Sequence, residues 1–205
     1  MKKLVIKTAS ITLGAAIAFC LILFACLAAF SPASLVGFFA DVGNDKLALK
    51  YAERAYAQND DSVNLVKVIE RSVISGDDEK TIFYSNELFS GDFSELSDDK
   101  LAYIEGRFCR ALVRCGRVNE GVSKAAAFTA AHLKSESGAK LKLLPSEDLI
   151  AFAAEKNDET LLKDIYVSLS AVRSSLYDSL SETGKDRINE DVEKLAEYFE
   201  NHPEK

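Results

Sequence analysis

Tryptophan is absent from this chain, and histidine, proline and methionine are scarce, at two, three and one of 205 residues. Each scarcity excludes something. With only His132 and His202 to draw on, there is no HExxH pair, and there are neither paired CxxC motifs nor a GxxxxGK[ST] loop. Zinc hydrolysis and P-loop nucleotide binding therefore lack their usual ligands, and no cofactor is expected. A serine–histidine–acid arrangement needs a histidine held by a carboxylate. Nothing near His132 in the sequence suggests one, and it reads as an ordinary surface or helix-end residue. Few prolines and little period-two alternation argue against a β architecture. No acidic residue precedes Asp41, and no Asn-x-Ser/Thr sequon occurs, a pattern compatible with a bacterial surface protein.

Cysteine is sparse too. Cys20 and Cys26 lie in an apolar run, and Cys109 and Cys115 lie six apart on one predicted helix. At ~1.5 Å rise per residue the latter two would be about 9 Å apart, beyond disulfide reach. Two buried thiols are expected there, and a disulfide-built scaffold is not.

What is present begins with that apolar run. Thr8 to Phe30 carries no charged side chain and follows Lys2, Lys3 and Lys7. About 20 apolar residues span the hydrocarbon layer, and basic residues stay on the cytoplasmic side. A retained signal anchor is the favoured reading, since the run exceeds the roughly 7–15 residues of a cleavable signal. A signal cleaved near Ala28-Ala29, and a lipoprotein cut before Cys26 in Leu23-Phe24-Ala25-Cys26, remain open. Ser10, Gly14 and Ala18 form a small-xxx-small stripe through which two such helices could pack as a homodimer.

The first 40 residues hold three lysines and no acid, so a net charge of -7 for the chain leaves -10 for residues 41–205. So acidic a segment is a poor partner for nucleic acid, whose phosphates need clustered Lys and Arg. Its apolar residues recur every three or four positions, as in helices. Leu101, Ile104, Phe108, Leu112 and Cys115 form one stripe; Leu161, Ile165, Leu169, Val172, Leu176 and Leu180 form another; Ile188, Val192, Leu195 and Phe199 form the last. Ser31-Pro32 reads as an N-cap with Pro at the first helical position. Gly43-Asn44, Gly76-Asp77, Gly91-Asp92, Gly116 and Asn157-Asp158 punctuate the rest. Acidic runs such as Asp77-Asp78-Glu79 and Asp98-Asp99 sit at helix starts, where they suit the dipole better than glycosidase chemistry.

The turns repeat. Gly43, Gly76, Gly116 and Asn157 are 33, 40 and 41 residues apart, each between two predicted helices. After Gly43 come Ala48, Ala52 and Ala55; after Gly76 come Thr81, Ser85 and Leu88. Gly116 is followed by Gly121, Ala125 and Phe128, and Asn157 by Leu162, Tyr166 and Leu169. Over residues 32–174 this resembles the tetratricopeptide repeat family, although the helix-ending proline is missing. The resemblance implies stacked helix hairpins whose first helices line a concave, peptide-binding face. Residues 184–201 would then be a capping helix.

The expected fold is all-α: one N-terminal transmembrane helix followed by a short array of antiparallel helix hairpins, a TPR-like α-solenoid. Residues 1–7 would be cytoplasmic, 8–30 the transmembrane signal anchor in the lipid bilayer, 31–181 the helical-hairpin repeat domain, and 182–205 a capping helix and tail. Tyr103, Arg107, Arg110, Arg114 and Arg117 share one helix face away from the apolar stripe. Arginine forks bind carboxylates and tyrosine adds apolar contact, so this strip is a candidate seat for an acidic or C-terminal peptide segment. The competing reading is a solvated face paired with nearby acids. The expected function is a membrane-tethered, non-catalytic protein–protein interaction scaffold on the extracytoplasmic face. Its alternatives are a constitutive structural subunit of a larger membrane complex and, behind that, an all-α enzyme.

Overall fold

The computed structural model describes residues 2–91 and 93–202, with side chains described from residue 13 onward. Among the described residues there is no strand, and helices joined by short turns and connectors make up the fold. It divides into two compact units, Met1–Ser75 and Gly76–Lys205.

The first unit holds α1 (Lys2–Phe30), α2 (Pro32–Asp41), α3 (Asp45–Gln58) and α4 (Ser62–Ser75). From Leu13 to Phe30, α1 is long and apolar enough to cross a membrane, and none of that stretch is buried by the protein. Pro32 opens α2 at the first helical position, where its missing N–H costs nothing. Helices α2 and α3 pack on each other, as do α3 and α4. Leu35, Val36 and Phe39 of α2 and Ala48, Leu49, Tyr51, Ala52 and Ala55 of α3 are buried. The small residues four and three apart on α3 let its neighbours approach closely, and α3 ends where Asn59 caps it.

The second unit holds α5 (Asp78–Ser90), α6 (Asp98–Arg114), α7 (Val118–Leu133), α8 (Glu136–Ala139), α9 (Pro145–Lys156), α10 (Glu159–Leu176), a 3-10 turn (Tyr177–Ser179) and α11 (Glu182–Asn201). Helices α6 and α7 pair, α9 and α10 pair, and the pairs stack with α6 on α9 and α7 on α10. Longer than a tight turn, the 134–144 connector carries α8 and accounts for the spacing of 41 between Gly116 and Asn157. The core is built from Phe108, Leu112, Leu133, Leu149, Ile165, Leu169 and Ile188, each essentially inaccessible. Burying one such side chain contributes about 1.5–3 kcal/mol. On α11, Ile188, Val192 and Leu195 close this core, as the last sequence stripe predicts.

All four turn residues have positive φ: Gly43 (73°), Gly76 (72°), Gly116 (79°) and Asn157 (52°). Each ends a helix in the left-handed conformation that favours glycine and tolerates asparagine. Caps follow the sequence as well. Side chains of Asn44, Asp77, Ser97, Asp158 and Ser181 accept hydrogen bonds from backbone N–H groups three residues on, satisfying donors that the first helical turn leaves open. Cys109 is buried as expected, but Cys115 is exposed. It lies at the C-cap of α6, one residue beyond the last helical turn, where the apolar arc no longer faces the core.

Candidate functional site

Tyr103, Arg107, Arg110 and Arg114 lie on α6, Arg117 lies past the Gly116 turn at the N-cap of α7, and acids from three elements meet these arginines. Arg110 Nη2 donates to Asp148 Oδ1 at 3.0 Å and to the Asp148 carbonyl at 3.0 Å, while Arg107 Nη2 is 3.7 Å from the same carboxylate oxygen. Asp148, in the first turn of α9, is 4% exposed. Its Oδ2 finds no hydrogen-bond partner and rests against Gly106, where an added Cβ would come within 3.0 Å. Arg114 pairs with Asp78 of α5 at 3.1 Å, and Arg117 with Glu120 at 2.7 Å. The guanidinium of Arg107 lies 5.1 Å over the Tyr103 ring, and that of Arg110 lies 5.3 Å over Phe152. Tyr103, Arg107, Arg110 and Arg114 thus follow one helix, as the sequence leads one to expect, but Arg117 leaves it, because the left-handed Gly116 reverses the chain first. Each of the four arginines has an acid of the same unit as partner. Burial, against the pull of Asp148, lowers the affinity of Arg110 for its proton. Burial holds Asp78 above the usual carboxylate range even beside Arg114.

The sequence reads His132 as a surface or helix-end residue; it does stand in the last turn of α7, but it is buried there. His132 Nε2 is 2.7 Å from Glu105 Oε2, and the two residues are 9% and 6% exposed. His132 shares the inward arc of α7 with Val122, Ala125 and Thr129, and Glu105 shares that of α6 with Ala102, Phe108 and Leu112. Beside them Thr129 Oγ1 donates to Ser146 Oγ at 2.9 Å and accepts from Ser146 N at 3.0 Å. Cys109, one turn beyond Glu105, is fully buried, and burial followed by the charge of Glu105 pushes its thiol far up. That disfavours the thiolate a nucleophile needs. These groups tie α6, α7 and α9 together through hydrogen bonds that an apolar interior makes costly to break.

A second charged cluster was not foreseen. Arg187 of α11 forks onto Glu147 of α9 at 2.7 and 2.6 Å and donates to the carbonyls of Ala139 and Leu141 at 2.8 and 2.6 Å. Asp191, one turn further along, is half-buried, and its Oδ2 has no hydrogen-bond partner. Burial first, and then the Glu147 charge, push its carboxyl up to about 7. No group of three or more metal-ligating side chains occurs among the described residues.

An open groove of about 430 Å³ runs between α7 and α10, with Ala126, Ala127, Ala130 and Ala131 on one wall and Ser168, Ala171 and Val172 on the other. Lys134 stands at its rim. In the membrane-length helix, Gly14 has open space around its Cα and Ala18 is exposed, while the Ser10 side chain lies outside the described residues. Comparison with family models, curated proteins and solved structures returns no match.

Proposed function

We propose that this chain is a membrane-tethered, non-catalytic protein–protein interaction scaffold. In this reading α1 is a retained signal anchor, the N-terminus is cytoplasmic and the helical units lie on the extracytoplasmic face. One observation carries it: a membrane-length apolar helix with no buried residue from Leu13 to Phe30 is joined to helix pairs whose interior ionisable groups hold helices to each other. The stacking of α6 on α9 and α7 on α10 supports a TPR-like array. Because each arginine of the strip is already engaged by an acid of its own unit, Asp148 serving two of them, the α7–α10 groove is the better seat. Its alanine walls admit the apolar face of a partner helix at short range, and Lys134 suits an acidic group at the end of that helix. The accessible end of the strip, Arg114 and Arg117, is the second candidate. A constitutive structural subunit is the runner-up, favoured by Phe83 at 63% and Val167 at 59% exposure.

Crosslinking of the full-length protein in native membranes tests the reading. Wild type is compared with Ala127→Trp/Ala131→Trp, which fills the groove from exposed positions, and with Arg114→Glu/Arg117→Glu. Specific capture of a partner, lost in the groove variant, is expected. Capture of nothing beyond the chain itself would remove the scaffold reading, and loss in the arginine variant alone would move the seat to the strip.

A further inference from the structure

Helix α11 closes the second unit, and its polar contacts differ along its length. Its start is well paired. The backbone N–H and hydroxyl of Ser181 donate to the Leu133 carbonyl, and the backbone N–H and hydroxyl of Thr183 donate to Glu136 of α8. Further along come Arg187 and, one turn on, Asp191, and there the charges do not balance. Arg187 Nε and Nη2 hold both carboxylate oxygens of Glu147, while Nη1 holds the Ala139 and Leu141 carbonyls. Glu147 Oε2 also accepts from the Leu144 N–H at 2.8 Å. Both groups are thus taken up with each other and with the chain around α8. Asp191 stands beside them with its Oδ2 inaccessible and unpartnered. The patch holds two carboxylates and one guanidinium.

A single proton resolves the mismatch. A protonated Asp191 is neutral, and its burial costs only what a missing hydrogen bond costs. An ionised Asp191 is a buried charge without a partner, which is strongly destabilising. Two routes relieve it. The helix can swing away and give the carboxylate to water, or Arg187 can turn to Asp191 and release Glu147 and the two connector carbonyls. Both free α11 from the 134–144 connector. The surroundings of Asp191 agree. Burial raises its carboxyl most and the Glu147 charge next, Arg187 and Lys194 pull it down, Glu190 adds a small rise, and the balance stands at about 7. Lys194 is itself paired with Glu190 at 2.6 Å. The other elements against α11 bring ionisable groups of their own. They are Glu136 of α8, bonded to Thr183; Tyr177 of the 3-10 turn, bonded to Asn189; and Tyr166 of α10, whose ring packs on Phe199 at 5.9 Å. From α7 the contact is the Leu133 carbonyl.

We propose that α11 is an acid-tightened clasp on the second unit: it lies closed while Asp191 carries a proton beside the Arg187–Glu147 pair, and it loosens as that proton leaves. Opening uncovers the core beneath Ile188, Val192 and Leu195. The device belongs to the second unit alone and acts on whichever side of a membrane that unit lies. Its direction follows from linkage. The closed helix binds the proton more firmly than the open one. Opening is therefore least favoured below about pH 3.8, grows through the window up to about 7, and levels off above it.

Hydrogen exchange of the full-length protein in detergent micelles tests the clasp. Exchange is read by mass spectrometry from pH 5 to 8 and corrected for the intrinsic rate at each pH. In the wild type, protection of the α11 amides from Arg187 onward should fall at least about tenfold between pH 5 and 7 and change little beyond. At pH 7 these amides should be less protected than those of α6, because they exchange through an opening of their own. Asp191→Asn should remove the pH dependence of α11. Wild-type α11 protection that does not change with pH overturns the clasp. Equal protection of α6 and α11 at every pH overturns it too, since the two then open only together. A pH dependence that survives in Asp191→Asn assigns the effect to another group and has the same consequence.

Discussion

Gly121 shows how much a single hydrogen can matter. A Cβ there would meet Val113 Cγ2 at 2.8 Å and the Cys109 carbonyl at 2.9 Å, so α6 and α7 touch only because the side chain is missing. Gly121→Ala is expected to cost about 1–3 kcal/mol in thermal or denaturant unfolding. Gly37, with nothing within 4 Å of its Cβ position, gives the opposite sign: Gly37→Ala should stabilise by about 0.5–1 kcal/mol through helix propensity. Removing His132 strands Glu105 in the interior, and His132→Ala should cost roughly 3 kcal/mol, with His132→Gln costing less because it can still hydrogen bond. Asp191 makes stability depend on pH. Its carboxyl titrates near 3.8 when unfolded and about 7 when folded. Below both values each state holds the proton and the shift has no effect; between them only the folded state does, so stability falls as pH rises; above 7 the full cost persists. Asp191→Asn should therefore stabilise by about 2 kcal/mol at pH 8, a gain that fades toward pH 4 when unfolding is followed across pH. Neither Asp191 nor His132 was legible as buried. Polar residues on an inward arc look like ordinary surface residues until the opposing helix is known: Glu105 lies 27 residues from His132, and Glu147, whose charge acts on Asp191, comes from α9.

Among the elements, the turns were the most legible. Gly43, Gly76, Gly116 and Asn157 stand where helices reverse because a left-handed residue is needed there, and that need is local. Ser31-Pro32 marks the start of α2, although the Ser31 hydroxyl bonds to Ser34 Oγ and caps no backbone N–H. The Tyr103–Arg114 spacing was legible as a helix face, since it follows from 100° per residue alone, but Arg117 lies beyond the turn where that period stops. The partner of that face, Asp148, was not legible, since it arrives from α9, 38 residues beyond Arg110. The arginines therefore divide into tie and rim. Arg110→Ala would leave the buried Asp148 carboxylate without its hydrogen-bonding partner and should cost about 3 kcal/mol, loosening α9 from α6. Arg117→Ala, in a pair exposed on both sides, should cost under about 1 kcal/mol. Unfolding of the two variants side by side separates these cases.

For the whole molecule, the all-helical class and the membrane-length helix could be read from composition and period, because both are properties of the chain rather than of any packing. The division at Ser75 could not, since nothing in local pattern distinguishes Gly76 from the other turns. Orientation across the membrane is open to a thiol assay. Cys115 is exposed and Cys109 is sealed, so a membrane-impermeant maleimide applied to intact cells should label Cys115 from outside and reach Cys109 only after unfolding. Labelling that requires lysis would reverse the proposed topology. Desolvation first, with Asp78 and Glu79 behind it, holds the Cys115 thiol above its ordinary value, so labelling should quicken as pH is raised. Order of synthesis adds a further consequence. The Leu133 carbonyl at the end of α7 accepts from the backbone N–H and the hydroxyl of Ser181, both at 3.0 Å, and a Cβ at Gly184 would collide with that carbonyl. The closing piece of the second unit is thus made last. From Gly76 to Ser181 a ribosome needs roughly 5 to 20 seconds, and throughout that interval the nascent core lacks Ile188, Val192 and Leu195. A chain stopped or clipped before Glu182 would keep that open face for good, which makes α11 the element whose arrival separates a closed second unit from an open one.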